Sequence, residues 1–160
     1  MIATALNSGG KLMICGNGGS AGDAQHLAAE FVATLDHQRP RAGLAAIALT
    51  TDTSFITAYS NDFGFEGIFS RQVETLGCDD DVLVGISTSG NSKNVVAAMN
   101  TARAGGIGTI AFSGGAGGEV CDHADISICV PSQTTMHIQE AHMALGHVIT
   151  LTVEQLLGYG

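Results

Sequence analysis

The sequence predicts an α/β fold: a single three-layer αβα domain over residues 1–160, in which helices cover both faces of a five-stranded parallel sheet. Short apolar runs alternate with longer helical patterns, which is typical of βαβ units. Hydrophobic residues make up 45% of the chain and charged residues only 13%, which suits strands that are buried on both faces. Polar loops follow several of the apolar runs, at the strand ends where such sheets bind ligands.

Five apolar runs bounded by glycine, proline or polar residues are the predicted strands. They lie at 11–15, 44–49, 82–86, 107–112 and 125–130. Cys15 and Cys129 fall within these runs and are predicted to be buried small hydrophobic residues. The four cysteines form no CxxC pair, which favours a reducing compartment and a cytoplasmic location.

Helical patterns occupy most of the remaining chain. A short helical segment opens it at residues 1–6, before the first strand. Longer helices are predicted at 21–35, 68–76, 94–104 and about 135–157. Residues 55–59 are predicted to form a helical turn and residues 61–64 an ordered loop.

Charge and hydropathy exclude several kinds of partner. The formal net charge is -9, with only six Lys and Arg residues, which argues against a nucleic acid or an anionic membrane surface. No apolar run approaches the roughly 20 residues that span a bilayer. The first residues lack the basic region and the apolar core of a signal peptide. The low charged fraction also fits a subunit that buries surface in an oligomer.

The stretch Ser87-Thr88-Ser89-Gly90-Asn91-Ser92 links the third predicted strand to a helix. Unpaired N–H groups and the helix dipole make such a junction favourable for an anion. An ordinary loop needs one or two hydroxyl residues to cap the helix, whereas four hydroxyls surround Gly90 here. The stretch therefore predicts a phosphate site.

A second glycine loop, residues 16–20, follows the first strand. Gly16, Gly18 and Ala21 satisfy the G-x-G-x-x-A pattern of a dinucleotide site. That site also requires an acidic residue about 20 residues further on, at the end of the second strand. The nearest acid there is Asp52, which lies among threonines 31 residues beyond Ala21, so the dinucleotide interpretation is weak.

Two helices carry groups for acid–base or metal chemistry. His26 and Glu30 lie one turn apart on one helix face, where they could bind a metal ion or form a solvated pair, and their spacing alone favours the pair. The apolar last helix contains polar residues that are either buried for a purpose or face a cleft. These are Gln139, Glu140, His142 and His147.

Four segments resemble the phosphoheptose isomerases, the sedoheptulose 7-phosphate isomerase branch of the sugar isomerase (SIS) fold. They are CGNGGSAGDAQHLAAEF, SNDFGFEGIFSRQVE, GISTSGNSKNVVAA and IQEAHMALGH. The resemblance covers nearly the whole chain, in order. It implies the same α/β fold that the periodicity predicts.

The resemblance also implies roles for individual residues. Its phosphate-binding loop matches Ser87, Thr88, Ser89 and Ser92. Its other substrate contacts match Asn17, Gly18, Gly19, Glu30, Asn61, Asp62 and Gln139. Its zinc ligands, one ion per subunit, match His26, Glu30, Gln139 and His147. Glu30 and His147 also match its proposed acid–base pair.

The activity implied is the conversion of sedoheptulose 7-phosphate to a D-glycero-heptopyranose 7-phosphate, through an enediol, for ADP- or GDP-heptose and lipopolysaccharide synthesis. The resemblance further implies a homotetramer with active sites at subunit interfaces. Two alternatives are a non-catalytic SIS tetramer that acts as a replication-initiation scaffold and a sugar-phosphate sensor. Glu30 and His147 favour the enzyme over both.

The chain departs from the family pattern in two places. Only about ten residues precede the first strand, where relatives carry a longer N-terminal helix, and His137 stands where relatives often have arginine. The implied zinc site also raises a geometric difficulty. Gln139 and His147 are about 12 Å apart in rise on an ideal helix. Either the helix is irregular near Gln139, or one of the two residues serves the site of another protomer.

Overall fold

The computed structural model describes residues 1–159 and contains one five-stranded parallel sheet. Its strands are β1 (Leu12–Gly16), β2 (Ala46–Ala48), β3 (Val82–Ser87), β4 (Gly108–Gly114) and β5 (Ile126–Val130). Their order is β2-β1-β3-β4-β5, and every neighbouring pair is parallel. The predicted fold class is confirmed.

Seven helices and one 3₁₀ turn (Phe65–Gly67) surround the sheet in the described residues. They are α1 (Ile2–Asn7), α2 (Gly19–Val32), α3 (Thr53–Phe63), α4 (Ile68–Leu76), α5 (Lys93–Ala104), α6 (Glu119–Asp122) and α7 (Thr135–Leu156). None of these helices, within residues 1–159, is long and apolar enough to cross a bilayer.

Two cores lie on opposite faces of the sheet, because alternate strand residues point in opposite directions. Ile14 and Phe112 belong to the core that the apolar stripe of α2 covers, together with α1 and α7. Met13 and Leu83 belong to the core beneath α4 and α5. Strand β1 is buried along its whole length, as expected for a strand between two helical layers.

Several predicted boundaries are wrong. Helix α2 begins at Gly19 and ends at Val32, so the predicted helix at 21–35 is shifted. The guanidinium of Arg41 accounts for the early end, since it donates to the carbonyls of Glu30 and Phe31 in the last turn of α2. Helix α6 and the following irregular turn were not predicted from the sequence.

The helical turn predicted at 55–59 is helical, but it is part of the longer helix α3. The loop predicted at 61–64 is wrong, because residues 61–63 continue that helix. The Asp52 carboxylate caps its first turn by accepting from the N–H of Phe55, and Gly64, at φ +94°, ends it. Cys15 is buried as predicted, but Cys129 is exposed because β5 is an edge strand.

Candidate active site

The polar loops meet at the carboxyl edge of the sheet. Strands β1 and β3 are neighbours, and Gly16 pairs with Ile86 in the register, so the loops that follow them are adjacent. A reciprocal pair of amide hydrogen bonds joins the two loops. Asn17 donates to Asn94 over 2.8 Å, and Asn94 donates back over 2.9 Å. Asn94 is buried at the start of α5. The pair therefore holds the loop at residues 16–20, called the first loop below, against the loop from Ser87 to Ser92, called the phosphate-type loop.

The loop from Ser87 to Ser92 is held by its own hydroxyls. The buried Ser87 Oγ donates to Ser92 Oγ over 2.9 Å and accepts from the Ser92 N–H over 3.4 Å. Ser89 Oγ, which is exposed, accepts from the Asn91 N–H over 3.2 Å. Ser87 therefore shapes the loop, whereas Ser89 and the half-buried Thr88 face the space that a phosphate would occupy.

A polar cavity of about 400 Å³ opens beside this loop. Thr88, Ser89 and Asn91 form one wall, and residues 114–118 and 132–135 contribute most of the other. The two walls touch closely at Gly90, whose φ is +71° and where a Cβ would lie 1.7 Å from the carbonyl oxygen of Gly117. Gly90 is thus required both by its backbone conformation and by this contact.

A second cluster lies between α2 and α7. His26 Nε2 and His147 Nε2 are 2.9 Å apart, and Glu30 Oε1 is 3.5 Å from His26 Nε2. The other carboxylate oxygen of Glu30 is buried and has no hydrogen-bond partner in residues 1–159. The structure therefore brings together three of the four residues that the sequence assigns to the metal and to acid–base chemistry.

Gln139, the fourth residue, lies near the start of α7, about two turns before His147. Its amide packs on Gly19, where a Cβ would lie 2.3 Å from Gln139 Nε2. Helix α7 is continuous from Thr135 to Leu156, so irregularity of this helix does not bring Gln139 towards His147. Within one chain, Gln139 contacts the first loop instead of the histidine cluster.

Asn61 and Asp62 lie at the C-terminal end of α3, where both are exposed. The Asn61 side chain donates to the Asp62 carboxylate over 2.8 Å. In the described part of the chain, no hydrogen bond joins either residue to the other predicted site residues. The structure thus leaves this pair apart from both clusters.

The chain is similar to known proteins over nearly its whole length. The family model of the SIS domain matches residues 1–114. The phosphoheptose isomerase of Roseiflexus sp. (strain RS-1) is 54% identical over 156 residues, which cover 98% of this chain and 78% of the relative. That of Aquifex aeolicus (strain VF5) is 52% identical over 157 residues, covering 98% and 81% of the two chains.

This chain belongs to the phosphoheptose isomerase family of SIS-domain proteins. Two solved structures of that family share its fold. The enzyme from Neisseria gonorrhoeae has a TM-score of 0.88 at 45% identity, and the alignment covers 96% of this chain and 80% of that one. The enzyme from Francisella tularensis has a TM-score of 0.91 at 38% identity, with 96% and 81% coverage.

Asp23 was missed from the sequence, whereas His142 was noted there only as one of four polar residues in the last helix. His142 is buried on α7 and donates through Nε2 to the Ser113 carbonyl over 2.9 Å, while its Nδ1 has no partner in residues 1–159. Burial lowers the pKa of His142, and burial raises the pKa of Asp23, against the opposing charges of His142 and His26. For His142 the signal was available, since this histidine stands within an otherwise apolar helix. Asp23 carries no such signal, because it shares its helix face with His26 and Glu30.

Proposed function

We propose that this enzyme interconverts sedoheptulose 7-phosphate and D-glycero-D-manno-heptose 7-phosphate, for the synthesis of ADP- or GDP-activated heptose. One observation carries the proposal. The first loop is hydrogen-bonded to the start of α5, beside the phosphate-type loop. Helix α2 begins in the first loop and carries His26 and Glu30. The rise from Gly19 to His26 is about 10 Å, which is comparable to the length of an extended heptose phosphate.

The reaction moves a hydrogen between adjacent carbons through an enediol. Glu30 takes the proton from the carbon next to the carbonyl and returns it to the neighbouring carbon. His147 moves a proton from the hydroxyl oxygen to the carbonyl oxygen, because an imidazole can give and take a proton near neutral pH. The phosphate, held by Thr88, Ser89 and the N–H groups at the start of α5, fixes the reacting carbons from a distance.

We also propose that zinc binds at His26, Glu30 and His147. Two imidazole nitrogens on one tetrahedral ion are roughly 3.3 Å apart at ordinary Zn–N lengths. The observed 2.9 Å between the Nε2 atoms and the unpartnered oxygen of Glu30 are compatible with such an ion. No three His, Cys, Asp or Glu side chains in residues 1–159 already form a metal site, so the donors would have to adjust slightly. Bound zinc would polarise the sugar carbonyl.

Gln139 would have to move from Gly19, or reach the site from another copy, to act as the fourth ligand. Metal content and thermal unfolding test the zinc proposal without relying on turnover. A chelator should remove the ion and lower the melting temperature, since a ligand that binds the folded state stabilises it. It should lower activity as well. Protein that is metal-free and fully active would contradict the proposal.

We propose that the enzyme is a homotetramer with active sites at subunit interfaces. Helix α3 buries none of its residues in one chain, and Phe63 and Phe65 are 73% and 54% exposed. Such aromatic residues commonly become buried when subunits associate. Sedimentation at micromolar concentration should show a particle about four times the 16.3 kDa subunit. A particle of subunit mass would contradict the tetramer.

Turnover tests the activity most directly. Purified protein incubated with sedoheptulose 7-phosphate should form an aldoheptose 7-phosphate, and NMR of the product identifies its configuration. In deuterated water, a solvent deuteron should appear on the carbon that exchanged its proton. Binding of the substrate without any turnover would instead indicate a sugar-phosphate sensor or a scaffold.

A further inference from the structure

Two of the four cysteines lie close together beside the phosphate-type loop. Cys121 belongs to α6 and Cys129 to β5, and their Sγ atoms are 3.6 Å apart without a bond. Both sulfurs also flank Gly117, where a Cβ would lie 3.0 Å from Cys121 Sγ and 3.2 Å from Cys129 Sγ. Cys129 is exposed and Cys121 is half-buried, so small molecules in solution can reach the pair.

Helix α6 is tied to the phosphate-type loop by its first N–H groups. The Val120 N–H donates to the Gly90 carbonyl over 2.8 Å, and the Glu119 N–H donates to Asn91 Oδ1 over 3.1 Å. Cys121 follows immediately after these two residues. Any displacement of the Cys121 backbone is therefore transmitted to the loop that carries Ser89 and Asn91.

We propose that Cys121 and Cys129 form a reversible disulfide with a low-molecular-weight disulfide as the oxidant, and that this bond weakens phosphate binding at the adjacent loop. A disulfide needs an S–S distance of about 2.05 Å, so the two sulfurs must approach by roughly 1.5 Å. Since β5 is held in the sheet and α6 is a single turn of helix, α6 is the element that moves.

The chemistry is a thiol–disulfide exchange in two steps. The Cys121 thiolate attacks one sulfur of the oxidant, forms a mixed disulfide and releases the first small thiolate. The Cys129 thiolate then attacks Cys121 Sγ and releases the second. The two protein thiols lose two electrons and two protons, and the oxidant leaves as two thiols that carry them. Partial burial raises the pKa of the largely exposed Cys129, as does its contact with Cys121, which is consistent with Cys129 acting second.

Mass spectrometry tests the disulfide directly. The whole native protein is treated with oxidised glutathione, its free thiols are alkylated, and it is digested with trypsin. No Lys or Arg follows Arg103, so residues 104–160 form one peptide that contains only Cys121 and Cys129. We expect this peptide to lose two hydrogen atoms and to take up no alkylating reagent. Cleavage before Asp125 should leave two fragments joined by the bond, and dithiothreitol should separate them.

Kinetics test the effect on the loop, and this part rests on the proposed function. Oxidation should raise the KM for the sugar phosphate about tenfold or more, as expected for the loss of one or two hydrogen bonds to a charged group, with a smaller change in kcat. Cys121→Ser should abolish the response. The matched control Cys78→Ser, which removes an exposed cysteine elsewhere, should keep it.

Three outcomes would overturn the proposal. In the first, the peptide carries glutathione on each cysteine without an internal bond. In the second, the bond joins two chains. In the third, the internal bond forms while the KM stays unchanged, which would disprove the coupling to the phosphate-type loop. The mass measurement needs no turnover, so failure of the isomerase assignment would be distinguished from failure of the disulfide.

Discussion

His26 Nε2 and His147 Nε2 lie 2.9 Å apart, so two imidazole rings join α2 to α7. The rings meet edge-on, with an interplanar angle of 75°. Only one proton can lie between the two nitrogens. The nearby Glu30 carboxylate has a buried oxygen without a hydrogen-bond partner in residues 1–159. This cluster has unused acceptor capacity, which a substrate hydroxyl or a cation would satisfy.

We expect Glu30→Gln and His147→Ala each to reduce kcat by about 10²–10⁴, because each removes one of the two groups proposed to transfer protons. The KM should change less. The double variant should be little worse than the poorer single variant, since residues that act as a unit are strongly non-additive. Steady-state kinetics would measure these changes, with His37→Ala as the control at an exposed histidine.

Glu30 and His147 are also proposed to bind the same metal ion, so each of these variants requires one more measurement. Loss of a ligand could empty the site and reduce kcat without any role in proton transfer. Metal content must therefore be determined beside each rate. A His147→Ala enzyme that keeps its metal and a near-normal kcat would remove this histidine from the mechanism.

The phosphate-type loop should tolerate substitution poorly. Replacement of both Ser87 and Ser89 by alanine should raise the KM tenfold or more, because a hydrogen bond to a charged group contributes about 1.5–3 kcal/mol. Ser89→Ala removes a contact proposed for the phosphate, whereas Ser87→Ala frees Ser92 from its 2.9 Å hydrogen bond. Inorganic sulfate should compete with the substrate in the wild type and more weakly in the variant. An unchanged KM, with Ser8→Ala as the control, would place the phosphate elsewhere.

A comparison of Gly90→Ala with Gly106→Ala distinguishes the cost of a steric clash from the cost of backbone strain. Gly90 has φ +71° and a Cβ there would collide with the Gly117 carbonyl oxygen, whereas Gly106 has φ +75° and no atom within 4 Å of its Cβ position. Gly106→Ala should cost only the strain of the left-handed conformation, about 1–2 kcal/mol. Gly90→Ala should cost more and should also raise the KM, because its clash displaces the phosphate-type loop. Equal losses of stability in denaturant unfolding, without any effect on KM, would contradict this.

Much of the molecule could be predicted from the sequence because the signals are local. Apolar runs and glycine loops identify the strands, and four hydroxyls around Gly90 indicate a loop that the structure places beside a polar cavity. Contacts between distant residues carry no such signal. Asn94 looked like an ordinary helical residue, yet it bonds to Asn17, 77 residues earlier in the chain. Only part of helix α3 was predicted, although Phe55, Tyr59 and Phe63 recur at every fourth residue and stack on one another. The polar residues Asn61 and Asp62 favoured a loop instead.

Stability should fall on acidification partly because of His142. Burial lowers the folded-state pKa of this histidine below its ordinary 6.5, while the Ser113 carbonyl and Asp23 oppose the shift. The unfolded chain therefore takes up a proton first, so the contribution of His142 is present above pH 6.5 and is lost as the pH falls towards its folded pKa.

The comparison with His142→Gln tests this dependence, since glutamine can still donate to the Ser113 carbonyl. Between about pH 7.5 and pH 5.5, the free energy of unfolding of the variant should fall less steeply than that of the wild type, by up to about 1.4 kcal/mol per pH unit. Urea unfolding at several pH values measures the slope. His37→Gln, at an exposed histidine, should leave it unchanged, and parallel slopes for His142→Gln would contradict the prediction.

Arg41 and Glu154 form a buried ion pair that should contribute strongly to the stability of the helices bearing the site. Their Nε and Oε1 atoms are 2.6 Å apart, and their side chains are 1% and 9% exposed. Arg41 also donates to the carbonyls of Glu30 and Phe31, so it joins the end of α2 to the end of α7. Removal of one partner leaves the other charge buried and unpaired, which costs about 3–5 kcal/mol.

Arg41→Ala should accordingly lower the melting temperature by roughly 6–20 °C, at about 2–4 °C per kcal/mol for a chain of this size. Arg41→Lys should rescue little of this loss, because an ammonium cannot reproduce the forked contacts of the guanidinium. The matched control is Arg39→Ala, which breaks an ion pair with Asp36 whose side chains are 65% and 43% exposed. That control should change the stability by no more than about 1 kcal/mol, since exposed pairs contribute little. Similar melting temperatures for the two alanine variants would show that the buried pair does not hold α2 against α7.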